Sequence, residues 1–151
     1  MFERSGPNRG ELAKAQLTLQ EAEEKLERLT ALLTERRAER GNLEIQIQET
    51  SAIGDMDKLV DLQNRAGVVE KLIAELRTSE IECTQRVESA RRYLYTLYIR
   101  LEKLRQEFTG LMRRLATIDQ NEGVPPEVMT SLGRVKIQLK AITGENSTGR
   151  L

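Results

Sequence analysis

The sequence predicts an all-α protein, built as a long antiparallel coiled-coil helical hairpin with a third, shorter helix folded back on the end of the central helix. Three observations support this fold class. Charged residues make up 32% of the 151 residues and aromatic residues only 3%, a composition typical of long helices. Apolar residues recur at alternating spacings of three and four, which is the period of a coiled-coil seam. No proline lies between residues 56 and 123, so a helix can continue through that stretch.

The first helix is predicted at about 9–50. Asn8 and Glu11 stand three residues apart just before its seam, the spacing of a capping box with Asn8 as the cap. Two arginines, Arg36 and Arg40, occupy seam positions that are otherwise apolar. The seam consists of Leu12, Ala15, Leu19, Ala22, Leu26, Leu29, Leu33, Arg36, Arg40, Leu43 and Ile47.

A short connector at 50–55 separates the first helix from the second. Gly54 suits a left-handed exit from the first helix, and Asp55 can cap the helix that follows. Because short connections join antiparallel neighbours, the two helices are expected to form a hairpin.

The second helix is predicted at about 56–120 and carries the longest seam. Eighteen positions from Leu59 to Ile118 follow the spacing of three and four, and only Glu80 interrupts their apolar character. The seam of the first helix begins at Leu12, which lies opposite Leu94. The part of the second helix beyond residue 94 is therefore left without a partner. A third helix is therefore expected to cover that remainder.

The third helix is predicted at about 126–143, after a turn that contains Pro125 and Pro126. The polar residues 144–151 are expected to form a mobile tail, and 1–151 to make up a single elongated unit. The seam of the third helix consists of Val128, Leu132, Val135, Leu139 and Ile142.

Closing the hairpin at the connector fixes which residues oppose each other. Pairing between two chains remains the alternative, because heptads alone do not identify the partner helix. The polar residues Arg36, Arg40 and Glu80 are expected to set the register. Gly41 and Gly67 nearly face each other, which marks either a close approach or a bend. The expected pairs are Leu33 with Ile73, Ala22 with Cys83, Arg40 with Ala66, Arg36 with Glu70 and Lys25 with Glu80.

The segment 91–100 is the strongest local anomaly, because it contains all three tyrosines of the chain. Tyr95 and Ile99 fall on the side of the helix opposite the seam, where apolar residues usually bury against something else. We therefore predict a partner or oligomer interface in the aromatic patch 93–99. The alternative is a cover for the junction where the first helix begins and the third ends. The predicted interface residues are Arg91, Arg92, Tyr95, Tyr98 and Ile99.

Charge is distributed unevenly although the net charge of the chain is zero. Residues 55–82 carry a net charge of −3 and residues 86–114 a net charge of +5. The basic stretch leaves nucleic-acid or polyanion binding as an alternative function. Its arginines and lysines scatter around the helix, however, so nucleic acid is not the expected partner.

The residue inventory argues against catalysis. The chain has no histidine and one cysteine, Cys83, which together remove the usual general base and multi-cysteine metal sites. It has no phosphate-binding glycine loop. We therefore expect no enzyme activity, no cofactor, no metal and no small-molecule substrate.

We expect instead a structural or adaptor protein that binds a protein partner or itself, as a homo-oligomer. No apolar run approaches the ~20 residues of a membrane span, and residues 1–10 lack the apolar core of a signal peptide. A cytoplasmic location without membrane contact is therefore expected. The predicted outline resembles the helical-hairpin stalk and chaperone proteins of bacterial secretion and flagellar export, a likeness of shape that assigns no residue a role.

Overall fold

The computed structural model describes residues 10–118 and 123–144, which form three α-helices and no strand. Helix α1 spans Glu11–Ile53, α2 spans Met56–Thr117 and α3 spans Pro126–Thr143. The predicted all-α hairpin with a third helix is confirmed. The predicted Asn8 cap and the tail beyond Gly144 lie outside the described residues.

The spacing that predicts the helices also identifies their buried faces. All eighteen predicted seam positions of α2 are buried or half-buried. Between residues 59 and 118, Ser79 and Thr84 are the only other residues that are not exposed. The eleven predicted seam positions of α1 are likewise buried or half-buried, and so is Thr50, at the next position of the series. The polar side chain of Thr50 hides this last seam position from a search for apolar residues.

The turn between α1 and α2 has the geometry that its sequence predicts. Gly54 has a φ of 86°, a left-handed conformation that costs glycine little because it has no Cβ. Its N–H donates to the Thr50 carbonyl at 2.9 Å. The Asp55 carboxylate accepts a hydrogen bond from the Lys58 N–H at 3.2 Å and so caps α2.

Contacts divide the chain into two compact units, each with its own core. The first, here called the hairpin unit, is Glu21–Glu88 and contains parts of α1 and α2. Half-buried Ile47, Ala66 and Leu76 pack against its core. That core consists of Leu33, Leu43, Leu62, Val69 and Ile73.

The second unit, here called the three-helix unit, comprises Met1–Gln20 and Ser89–Leu151. In α3, the buried residues are the five predicted seam residues, and they belong to the core of this unit. Half-buried Leu12, Phe108 and Leu115 pack against that core. The core consists of Leu101, Leu104, Leu111, Val128, Leu132, Val135, Leu139 and Ile142.

Gly10 joins the start of α1 to the end of α3 within the three-helix unit. A Cβ added at Gly10 would lie 2.4 Å from the Gly144 nitrogen and 2.5 Å from the Ile142 carbonyl oxygen. Only a residue without a side chain allows this approach. The junction between the first and third helices that the sequence predicts is therefore present.

Hydrogen bonds across the hairpin establish its register. The Cys83 thiol donates to the Ala22 carbonyl oxygen at 3.4 Å, so these two residues oppose each other as predicted. The polar partners predicted for Arg36 and Glu80 are wrong. Arg36 pairs with Glu39 on its own helix rather than with Glu70, whereas Glu70 pairs with Arg40 at 3.1 Å.

Glu80 also has a different partner from the predicted Lys25, since it accepts a hydrogen bond from the Thr30 hydroxyl at 3.3 Å. One rule explains both differences. Side chains lean towards the N-terminus of their own helix, so in an antiparallel pair each reaches beyond the residue directly opposite. Arg40, opposite Ala66, therefore reaches Glu70.

Candidate protein-interaction surface

The seam of α2 determines which way its tyrosines point. Leu97 and Leu101 are buried and Leu94 is half-buried, so this face of α2 is directed into the three-helix unit. Tyr95 and Ile99 lie on the other side of the helix, where Tyr95 is 66% and Ile99 40% exposed. Because they are four residues apart, their side chains are neighbours on that surface.

The other two tyrosines flank the seam and contact α1. The Tyr93 hydroxyl donates to Glu11 Oε2 at 3.2 Å. The Tyr98 hydroxyl accepts a hydrogen bond from Gln16 Nε2 at 3.0 Å. Tyr93 and Tyr98 therefore connect α2 to the beginning of α1.

Tyr95 and Ile99 have no such structural role among the described residues, where the Tyr95 hydroxyl has no hydrogen-bond partner. Exposed arginines border the pair on the same helix. We call the predicted set the tyrosine surface and keep its role as an interface as a prediction. It comprises Arg91, Arg92, Tyr95, Tyr98 and Ile99.

The Glu11 carboxylate changes the acidity of Tyr93. The hydrogen bond to Glu11 raises the pKa of the Tyr93 hydroxyl above its ordinary value of 10.0, and partial desolvation and the negative charge of Glu11 act in the same direction. The positive charge of Arg100 acts in the opposite direction. Tyr93 therefore remains a protonated donor to Glu11 throughout the neutral range.

The two units carry opposite net charges. The hairpin unit contains 10 Lys and Arg against 16 Asp and Glu, a net charge of −6. The three-helix unit contains 14 Lys and Arg against 8 Asp and Glu, a net charge of +6. The zero net charge of the chain thus conceals two units of strongly opposite sign, and the tyrosine surface belongs to the positive one.

The predicted register-setting residues Arg36, Arg40 and Glu80 all lie in the hairpin unit and are half-buried. Each has a polar partner, and the described residues contain no buried side-chain nitrogen or oxygen without a hydrogen bond. These three residues are therefore half-buried polar residues whose side chains have hydrogen-bond or ion-pair partners. Their role in setting the register remains a prediction.

The hairpin unit also has an apolar groove that the seam pattern does not predict. Leu32 and Leu72 are 39% and 40% exposed and border an open groove of about 440 Å³. The sequence does contain a signal, since each leucine directly precedes a buried seam residue, in the pairs Leu32-Leu33 and Leu72-Ile73. We call this feature the leucine groove; it is lined by Leu32, Arg36, Leu72, Glu75, Leu76 and Ser79.

Comparison with known proteins does not identify a relative. No protein-family model, curated protein or solved structure matches this chain. Within residues 10–118 and 123–144, no helix has an apolar stretch long enough to cross a lipid bilayer.

Proposed function

We propose that this chain is a non-enzymatic coiled-coil structural or adaptor protein that assembles with protein chains through the tyrosine surface. The observation that carries the proposal is the exposure of Tyr95 and Ile99, side by side, on the outer face of α2. Tyrosine and arginine are enriched at protein interfaces, whereas single exposed apolar residues are ordinary. The partner is a second copy of the chain or another protein.

Binding energy at such a surface is supplied by a few large anchors. A tyrosine ring buries a large apolar area at little cost in side-chain entropy, and its hydroxyl can still bond to a partner. Losing an anchor of this kind costs about 2 kcal/mol or more of binding free energy. Because Tyr93 and Tyr98 already contact α1, we assign the anchor role to Tyr95, with Ile99 beside it.

A cytoplasmic location is part of the same proposal. Cys83 is a free, buried cysteine, and free thiols are ordinary in a compartment that keeps them reduced. The Cys83 thiol already donates to the Ala22 carbonyl. We therefore assign Cys83 to packing and give it no part in assembly.

Site-specific photo-crosslinking tests the proposal directly. The full chain carries a photoreactive amino acid at position 95 and is expressed in cells that naturally produce this protein. Irradiation is expected to give a covalent adduct between position 95 and a protein. The matched control is the same amino acid at Ile137, which is 72% exposed on α3 of the same unit and lies outside the tyrosine surface. Equal crosslinking at both positions, or none at position 95, would contradict the proposal.

The second candidate is polyanion binding through the basic stretch 86–114. The net charge of +6 on the three-helix unit favours it, since positive surfaces attract nucleic acid and release its counterions. Such binding requires an affinity that falls steeply as salt is added. If duplex and single-stranded DNA and RNA cause no mobility shift at low salt, this candidate is eliminated.

A further inference from the structure

The tyrosine surface and the leucine groove are unlike surfaces carried by the same chain. Tyr95 and Ile99 project from α2 in the three-helix unit, whereas Leu32 and Leu72 border a depression in the hairpin unit. The hairpin unit exposes other apolar side chains, such as Val60 and Ile81, but they do not border the groove. Protein interfaces pack with high shape complementarity, so exposed apolar side chains on one chain require a depression on the partner.

The dimensions of the two surfaces agree. Tyr95 and Ile99 are one helical turn apart, a distance of about 6 Å along the axis of α2. The groove extends from Leu72 to Ser79, about 10 Å along the same helix by the same rise. Half-buried Leu76 lies among its lining residues. Two adjacent side chains therefore fit within its length.

The two surfaces also belong to units of opposite net charge. Arg91, Arg92 and Arg100 surround the tyrosine pair, in the unit with a net charge of +6. The groove is lined by one carboxylate, Glu75, and one arginine, Arg36, and it belongs to the unit with a net charge of −6. Surfaces of opposite sign attract each other during encounter, whereas two tyrosine surfaces would repel.

We propose that copies of this chain associate head to tail, with Tyr95 and Ile99 of one copy packed into the leucine groove of the next. The inference rests on the proposed assembly function and names the partner as a second copy of the chain. In such a contact, the copy that supplies Tyr95 and Ile99 still has a free leucine groove, and the copy that supplies the groove still has a free tyrosine surface. An interface between unlike surfaces therefore adds further copies until a ring closes or a filament forms.

Complementation between two variants tests the head-to-tail contact. One variant carries Tyr95→Gln and Ile99→Gln, and the other carries Leu32→Gln and Leu72→Gln. Each variant alone lacks half of the interface, so its association is expected to weaken by roughly 30-fold or more and its mass to stay near 17.2 kDa. Their equimolar mixture is expected to form a one-to-one complex and nothing larger, because it has one intact pair of surfaces per two chains.

The wild-type chain, measured by sedimentation and light scattering over a range of concentrations, is expected to exceed the mass of a dimer and to dissociate as salt is added. Circular dichroism of each variant checks that its helices are retained. Glu75→Arg provides an independent test, because this exposed residue contributes nothing to a core and its reversal is expected to weaken association. Val60→Gln and Ile137→Gln, exposed and outside both surfaces, are matched controls expected to associate as wild type.

Three results would overturn the inference. The first is a wild-type mass of 17.2 kDa at every concentration, and the second is a mixture of the variants that remains monomeric while the wild type associates. The third is undiminished association of either variant alone. A monomeric wild type that still crosslinks to a different protein through position 95 would remove this inference and leave the proposed assembly function standing.

Discussion

The Tyr93 hydroxyl and the Glu11 carboxylate form a contact whose strength depends on protonation. Tyr93 donates to Glu11 only while it holds its proton, and the contact raises the pKa of Tyr93 above 10.0. A group whose pKa is raised by folding stabilises the fold fully below its unfolded pKa. That contribution is lost as the pH rises through the raised, folded-state pKa.

Replacing Glu11 with glutamine is therefore expected to lower the pKa of Tyr93 towards 10.0. The amide can still accept a hydrogen bond, but it carries no negative charge to oppose the tyrosinate. The measurement is a pH titration of ¹³C-labelled tyrosine by NMR, with Tyr93→Phe to assign the resonance. Glu27→Gln, an exposed carboxylate on the same helix, is the control, and an unchanged Tyr93 pKa in Glu11→Gln would show that Glu11 is not the cause.

The ion pairs of the hairpin show which features of single residues the sequence predicts and which it does not. The sequence predicts which residues oppose each other, because the connector and the seam spacing fix the register. It does not predict that Glu70 binds Arg40 rather than Arg36, because that choice depends on the direction in which side chains leave the helix. Opposition of Cα atoms is therefore a poor guide to the partner of a long side chain.

At the scale of the helices, local sequence signals account for most of the bounds. The predicted limits of α3 at 126 and 143 match the structure, since Pro126 stands at its start and left-handed Gly144 ends it. Helix α1 continues to Ile53, three residues beyond the predicted end. The prediction places residue 50 in the connector, whereas Thr50 is buried and belongs to α1.

Gly41 and Gly67 are predicted to mark either a close approach or a bend, and the first of these alternatives is wrong. A Cβ added at Gly41 or at Gly67 would meet nothing within 4 Å, so neither marks a close approach of the two helices. The close approach is at Gly10, where a Cβ would collide with the backbone at the end of α3. The sequence does not distinguish these cases, since the contact at Gly10 joins residues more than 130 positions apart.

Alanine substitutions at these glycines should therefore have opposite effects. Gly67→Ala is expected to stabilise the protein by about 0.5–1 kcal/mol, because alanine has the higher helix propensity and the added methyl group has space. Gly10→Ala is expected to destabilise it, because the backbone near Gly144 must move away. The free energies of unfolding in urea give the comparison, and a destabilising Gly67→Ala would mean that the hairpin is tighter than described.

At the scale of the whole molecule, the candidate surfaces were only partly predictable. The heptad pattern predicts that Tyr95 and Ile99 face outward, and they do. It cannot reveal the leucine groove, because a pattern of inward positions does not say which outer leucines border a depression. The sequence shows an acidic stretch at 55–82 and a basic stretch at 86–114, but not the full contrast of −6 and +6, since the three-helix unit combines both ends of the sequence.

The two units bury separate sets of residues, and this separation predicts how the molecule opens. The core around Ile73 and the core around Val135 share no residue. Each region of a long helical protein is stabilised mainly by its own contacts, so local opening reports local packing. A cavity in one core should therefore increase opening in that unit and leave the other protected.

Leu139→Ala and Leu33→Ala form a matched pair for this prediction, since each removes a leucine at most 1% exposed from one of the two cores. Each is expected to cost about 2–5 kcal/mol of local stability. By hydrogen exchange, Leu139→Ala should accelerate amides in α3 by about 30-fold or more while those near Ile73 keep their rates. Leu33→Ala should give the reverse pattern. If amide exchange accelerates equally in both units of either variant, the two units unfold together. The cause would then be that α1 and α2 run through both units.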